Sequence, residues 1–337
     1  MTALAMLCLF IYAVKADLVT VANINNIPAP VTTVSPTTKG PDPLANTPAD
    51  GGVFTASTKL TLQCKYYNEK DFMNSVLEAA KDRPPEPGYG DGADQGGPEK
   101  AAEASQAIAG GIVPHHLLAG KMIAAFFQAL AEDAPETVVV IAPNHRRTGL
   151  NGLHTSTADW GTAFGTLEAD PALTDRLITE LNAAQNTALM EEEHSISALV
   201  PYIKYYLPEA KIVPVLLHGN YSPEASGKLG KLLADAMTDD SRAVMIASVD
   251  FSHYLDAKTA DLMDEKTLEA ILSNDISAIS RMGNDHLDSP PSIVTLLSAM
   301  TELGAAAPEV TGHGNSSDIT GNGFDYTTSY FTMLFRR

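Results

Sequence analysis

TVVVIAPNH, residues 137–145, decides the fold. Its apolar run is unbroken rather than alternating, which suits a strand covered on both faces, as in parallel sheets. It ends on a turn that carries a histidine. The same grammar recurs outward from it: IAGGIVPHH at 108–116, KIVPVLL at 211–217 and AVMIASVDFSH at 243–253. Between these runs lie stretches of helical periodicity, among them LLAGKMIAAFFQALAE, DPALTDRLITELNAA and SPEASGKLGKLLADAM. Asp170 before Pro171, and Ser222 before Pro223, are expected helix caps. The pattern predicts an α/β fold, a largely parallel central sheet with helices on both faces. Such folds place ligands in the crevice beyond the carboxyl ends of the strands.

The 337 residues, 45% of them hydrophobic, are enough for a substantial core. A formal net charge of −19 repels phosphate backbones and anionic lipid, which argues against nucleic acid as a partner. The apolar stretch around LCLFIYAV suits a signal peptide or an N-terminal anchor over 1–16, although Met1-Thr2 lacks the usual basic start. That reading implies a secreted or membrane-anchored extracytoplasmic protein, and a cytoplasmic one if it fails. Residues 17–55, rich in Pro, Thr and Asn, read as a flexible linker. The remaining domain spans 56–337, with a Gly/Pro-rich insertion loop at about 83–104.

His115 and His145 follow their apolar runs at equivalent places, so neighbouring parallel strands would bring the two imidazoles together as a metal pair. A lone histidine at either place would more often be an ordinary hydrogen-bonded residue; adjacent His116 is a rival for His115. A third ligand must come from elsewhere, because no HExxH or paired CxxC signature occurs. Asp318 in NSSDITG is the candidate carboxylate, the alternative being an aspartate that caps its own turn. Two imidazoles and one carboxylate with open positions suit non-haem Fe(II). Asp250 and His253 in SVDFSHY fit a general acid/base pair, or a structural aspartate capping the next helix. His194 could orient a ligand or begin a helix, whose dipole would account for the preceding Glu191–Glu193 without any function. Neither G-x-S-x-G nor a phosphate-binding P-loop is present, and Cys64 stands far from every histidine cluster.

Taken in order, VPH, APNH, TAFGTLEAD, EEEHSISALVPYI, IVPVLL, SVDFSHY and NSSDITG resemble the Memo family, which includes protein B of AmmeMemoRadiSam systems. The resemblance runs from about residue 65 to the C-terminus. It implies a fold similar to class III extradiol dioxygenases, with His115, His145 and Asp318 as metal ligands and His253, Asp250 and His194 as catalytic groups. It implies Fe(II) as cofactor, with Cu or Zn as alternatives, and a dioxygenase-like oxidoreductase acting on a small-molecule substrate. A non-catalytic metal- or ligand-binding protein, acting with AmmeMemoRadiSam partner proteins, and a metal-dependent hydrolase are the competing readings. The chain departs from the family at His116-Leu117-Leu118 and at Arg146-Arg147. His116, Arg146 and Arg147 are therefore candidate substrate-binding residues for an aromatic or anionic small molecule: the arginines would attract a substrate carboxylate by forked hydrogen bonds, the alternative being surface charges of an acidic protein.

Overall fold

The computed structural model describes residues 59–82, 106–240, 242–322 and 326–337. The expected leader, linker and insertion loop lie outside these residues. Among the described residues, no helix is long and apolar enough to cross a membrane.

The strands are β1 (Thr61–Gln63), β2 (Ile108–Val113), β3 (Thr137–Pro143), β4 (Leu153–Thr155), β5 (Asp159–Thr162) and β6 (Gly165–Leu167). They continue with β7 (Ala184–Gln185), β8 (Lys211–Leu217), β9 (Ala243–Ser248), β10 (His253–Leu255), β11 (Glu309–Asn315) and β12 (Thr327–Arg336). The longer helices are α1 (Glu69–Lys81), α2 (Gly120–Leu130), α3 (Pro171–Leu181), α4 (Pro223–Asp239), α5 (Ala257–Leu272) and α6 (Pro290–Glu302). The main sheet runs β10-β12-β2-β9-β3-β8-β4-β7, with β11 also paired to β12. Its centre, β2, β9, β3 and β8, is parallel. β12 closes one flank antiparallel, and β4 meets β8 antiparallel on the other. A small second sheet joins β1, β5 and β6.

The unbroken apolar runs are explained by two cores, one on each face. Successive residues of β3 alternate between them: Val139 and Ile141 pack with Leu229 and Leu233 of α4 and Ile293 of α6. Val138, Val140 and Ala142 pack with Phe72 of α1 and Phe126 and Phe127 of α2. Neither face is left for water, so neither carries polar residues. The expected caps are in place: Asp170 accepts from the amides of Ala172 and Leu173, and Ser222 from that of Ala225.

Two local expectations change. The segment around Asp318 is not a turn between strands but a short helix, Ser316–Thr320, following β11. His115 and His145 do not leave adjacent strands either, because β9 pairs with both β2 and β3 and lies between them.

Candidate metal centre

Because β2, β9 and β3 are parallel, their carboxyl ends share one edge. Each carries a ligand-grade side chain two residues beyond its last strand position: His115 after Val113, Asp250 after Ser248 and His145 after Pro143. The equal offset brings His115 and His145 together across β9, with ring centroids 5.1 Å apart. His194, from the short helix His194–Ser197, stacks on His145 at 4.5 Å and stands 5.2 Å from His115. Ser195 pins this helix to the sheet by donating its hydroxyl to the carbonyl of Pro143 at 2.8 Å.

Both ligand-pair imidazoles are held through Nδ1, leaving Nε2 to face inward. The hydroxyl of Ser248 donates to the carbonyl of Ser195 at 2.6 Å, so its oxygen must accept from Nδ1–H of His115 at 3.1 Å. Nδ1 of His145 donates to Oε1 of Glu193 at 2.9 Å, while Oε2 of Glu193 accepts the His145 amide at 2.9 Å. Glu193 is fully buried and also accepts from the Ser195 amide. This is the carboxylate–histidine arrangement that fixes the tautomer of metal-binding imidazoles.

The acid facing both rings is Asp288. Its Oδ2 lies 3.3 Å from Nε2 of His115 and 3.4 Å from Nε2 of His145. Donors sitting about 2.0–2.1 Å from one ion at a tetrahedral angle would be about 3.4 Å apart, so this spacing fits a shared cation. The other oxygen, Oδ1, is buried without a hydrogen-bond partner. A buried carboxylate oxygen left without a donor suits a place beside a cation. Among the described residues, His115 with His145 and His194, and His115 with Asp250 and Asp288, form groups close enough to share one ion.

The electrostatics of the protein groups agree with this geometry. Burial disfavours the charged form of His145, but Asp288 and Glu193 outweigh it and push its pKa up to about 10. Burial likewise opposes protonation of His115, and Asp250 and Asp288 more than offset it. Burial would raise Asp288 and Glu193, yet the facing imidazoles hold both well below the usual carboxylate range. The pocket is built for positive charge, which protons supply when a metal does not.

The remaining expected residues divide. Asp250 sits in the cluster, its Oδ1 accepting from the amides of His115 and His116, so it shapes the loop that presents His115. His116 turns aside, with Nδ1 2.7 Å from the Tyr330 hydroxyl. His253 belongs to none of the described metal-capable groups, and its Nδ1 is buried without a partner. Arg146 is committed to Glu192 through Nε to the carbonyl and Nη2 to the carboxylate, and Arg147 is exposed at a φ of 50°. Asp318 is not brought to the imidazoles: it is exposed, and its Oδ2 accepts from the side chain of Asn315. The helix that replaced the expected turn directs it elsewhere.

Asp288 and Glu193 escape a reading based on strand ends. Asp288 follows no strand and is placed by a backbone hydrogen bond to Asp250, whose carbonyl accepts the Asp288 amide at 3.1 Å. Glu193 ends an acidic run that the helix dipole alone would explain. The recoverable signal was its position directly before His194 and a helix start, where its side chain caps the Ser195 amide.

Comparison with known proteins agrees with the resemblance drawn from the motifs. The family description "Memo-like protein" matches residues 74–334. A MEMO1 family protein of Methanosarcina mazei is 30% identical over 224 residues, covering 64% of this chain and 82% of its own length. The MEMO1 family protein PAE0818 of Pyrobaculum aerophilum is 30% identical over 236 residues, covering 68% and 83%. A solved structure, the uncharacterized protein JW3007 from Escherichia coli K12, overlays 66% of this chain and 99% of its own with a TM-score of 0.44 and 14% identity. With a family match across most of its length and relatives covered over more than four fifths of theirs, this chain belongs to the Memo family.

Proposed function

We propose that the chain holds one divalent metal ion, Fe(II), through Nε2 of His115, Nε2 of His145 and the carboxylate of Asp288, and acts as a dioxygenase-like oxidoreductase. The observation that carries the reading is the convergence of both Nε2 atoms on Oδ2 of Asp288, at 3.3 and 3.4 Å, with each opposite ring nitrogen already tied down. Two neutral imidazoles and one carboxylate leave coordination positions open, which is the ligand set of non-haem Fe(II) oxygenases. When bound, the ion would supply a Lewis-acidic, redox-active centre for substrate and O₂.

The chain's own groups supply the rest. Glu193 and Ser248 keep the two imidazoles in the ligating tautomer. Asp250 fixes the backbone that carries His115. His194, with 42% of its side chain exposed and Nδ1 3.2 Å from Oε1 of Glu193, is the group placed to take or return a substrate proton. In this reading His194 carries the acid/base role that the sequence expects of His253, Asp250 and His194.

Purification without oxygen, Fe(II) reconstitution and titration calorimetry test the ligand set. Wild type and Asp318→Ala are expected to bind one equivalent, and His145→Ala and Asp288→Ala to lose it. Unchanged stoichiometry in both of the latter variants would overturn the assignment. Oxygen uptake by the loaded protein in a screen of catechols then tests the reaction, and bound iron with no uptake across the screen would assign the site a binding role.

A further inference from the structure

A cavity of about 800 Å³ opens between α1, residues 117–122, residues 198–202 and residues 313–319. It lies beside the candidate metal centre, whose own residues are not among its lining. Tyr66 on its wall has its ring 5.8 Å from that of His194, and Leu117 stands two residues from His115. Its floor is apolar and aromatic: Phe72 and Tyr202, with ring centroids 4.6 Å apart, and the half-open side chains of Leu117 and Leu118.

The rim is mainly acidic. Asp71, Glu78 and Asp318 line it, and all three are exposed. Lys121, its lysine, already has its ammonium 2.6 Å from Asp82. His313, also on the wall, is tied through Nε2 to buried Asp264 at 2.8 Å. Among the described residues no arginine lines the cavity, and Arg146 near the metal centre is held by Glu192. The whole chain adds a net charge of −19.

We propose that this groove binds a cationic amphiphile, a small molecule with an apolar or aromatic body and an amine or guanidinium end, as the substrate class presented to the metal centre. The body covers the Phe72, Tyr202 and Leu118 floor, and the cation meets the Asp71, Glu78 and Asp318 rim. Asp318 thereby gains a role in substrate selection rather than metal ligation. The role as substrate rests on the metal reading; the groove's preference for a cation does not.

The test uses the full chain, stripped of metal with EDTA, and three probes sharing one body: phenylbutylamine, phenylbutanol and phenylbutyrate. Calorimetry is expected to show the amine binding at least about tenfold more tightly than the acid, with affinity falling as salt is raised. The double variant Glu78→Gln/Asp318→Asn, at two exposed positions outside the metal cluster, is expected to lose most of that preference and its salt dependence. Equal binding of all three probes, tighter binding of the acid, or an unchanged preference in the double variant would overturn the proposal. Because the measurement is made without metal, it fails separately from the ligand assignment. Amine preference in a chain that binds no iron refutes the metal reading and leaves the cationic site standing, whereas iron binding without amine preference refutes the groove proposal alone.

Discussion

Glu193 shows how much of this site depends on a residue that touches no reacting atom. Its two oxygens accept from the ring and the backbone of His145 and from the Ser195 amide, all inside the fold. Replacing it with Gln keeps the shape but puts an amide donor where one of these donors must be met. Loss of such a carboxylate partner usually weakens metal binding by about 10–100-fold. Competition titration of Glu193→Gln with zinc should show a drop of that order, and wild-type affinity would mean that His145 does not depend on this bond. At this scale the sequence revealed residues that obey a strand-end rule and concealed those that do not. His115, His145 and Asp250 stand at the same offset from three apolar runs, whereas Asp288 reaches the cluster through a backbone hydrogen bond to Asp250 made in the folded chain. Asp318 and Asp288 are both aspartates before or within a Ser-containing segment, and nothing local says which one folds inward.

The central elements were legible because burial on both faces leaves a plain mark, an apolar run between capped helices. The short strands β4 to β7 were not, since two to four residues carry too little periodicity to register. Packing between elements was also hidden, and α4 against α6 illustrates it. A Cβ on Gly230 would lie 2.6 Å from the carbonyl oxygen of Thr295 and 3.1 Å from the amide nitrogen of Ala299, whereas one on Gly227 would find its nearest neighbour at 4.0 Å. Both glycines lie inside the same helix, where alanine is intrinsically favoured by roughly 0.5–1 kcal/mol. At Gly227 that gain should appear as added stability. At Gly230 the obstructing atoms are backbone and cannot swing away, and overpacking of this kind costs about 1–3 kcal/mol, enough to reverse the sign. Urea unfolding of Gly227→Ala and Gly230→Ala should therefore move in opposite directions. Destabilisation of both by similar amounts would show that the helix contact is not what forbids a side chain at 230.

For the whole molecule, the His/Asp cluster ties β2, β9, β3, the helix at 194–197 and the turn before α6 to one point, so binding of the proposed metal there would be linked to global stability. A ligand at one hundred times its dissociation constant stabilises the native state by about 2.7 kcal/mol. The gain should depend on pH through His145. In the metal-free fold its pKa is raised from 6.5 to about 10, so the stabilisation that its proton confers is fully present below about pH 6.5 and is lost as pH rises through about 10. A bound metal replaces that proton and must displace it to enter, so binding strengthens as the proton becomes easier to remove. Across the window from 6.5 to about 10 the metal-free protein therefore loses stability from this group while the loaded protein does not. The melting-temperature difference between zinc-loaded and EDTA-treated protein is expected to widen from pH about 6.5 towards 9, at fixed free zinc. His145→Ala should flatten this trend by removing both the proton and the ligand. A difference in the wild type that stays constant or narrows across the window would mean that metal does not enter at the proton's place, and the cluster at the strand ends would then be an ion-pair network holding the fold rather than a metal centre.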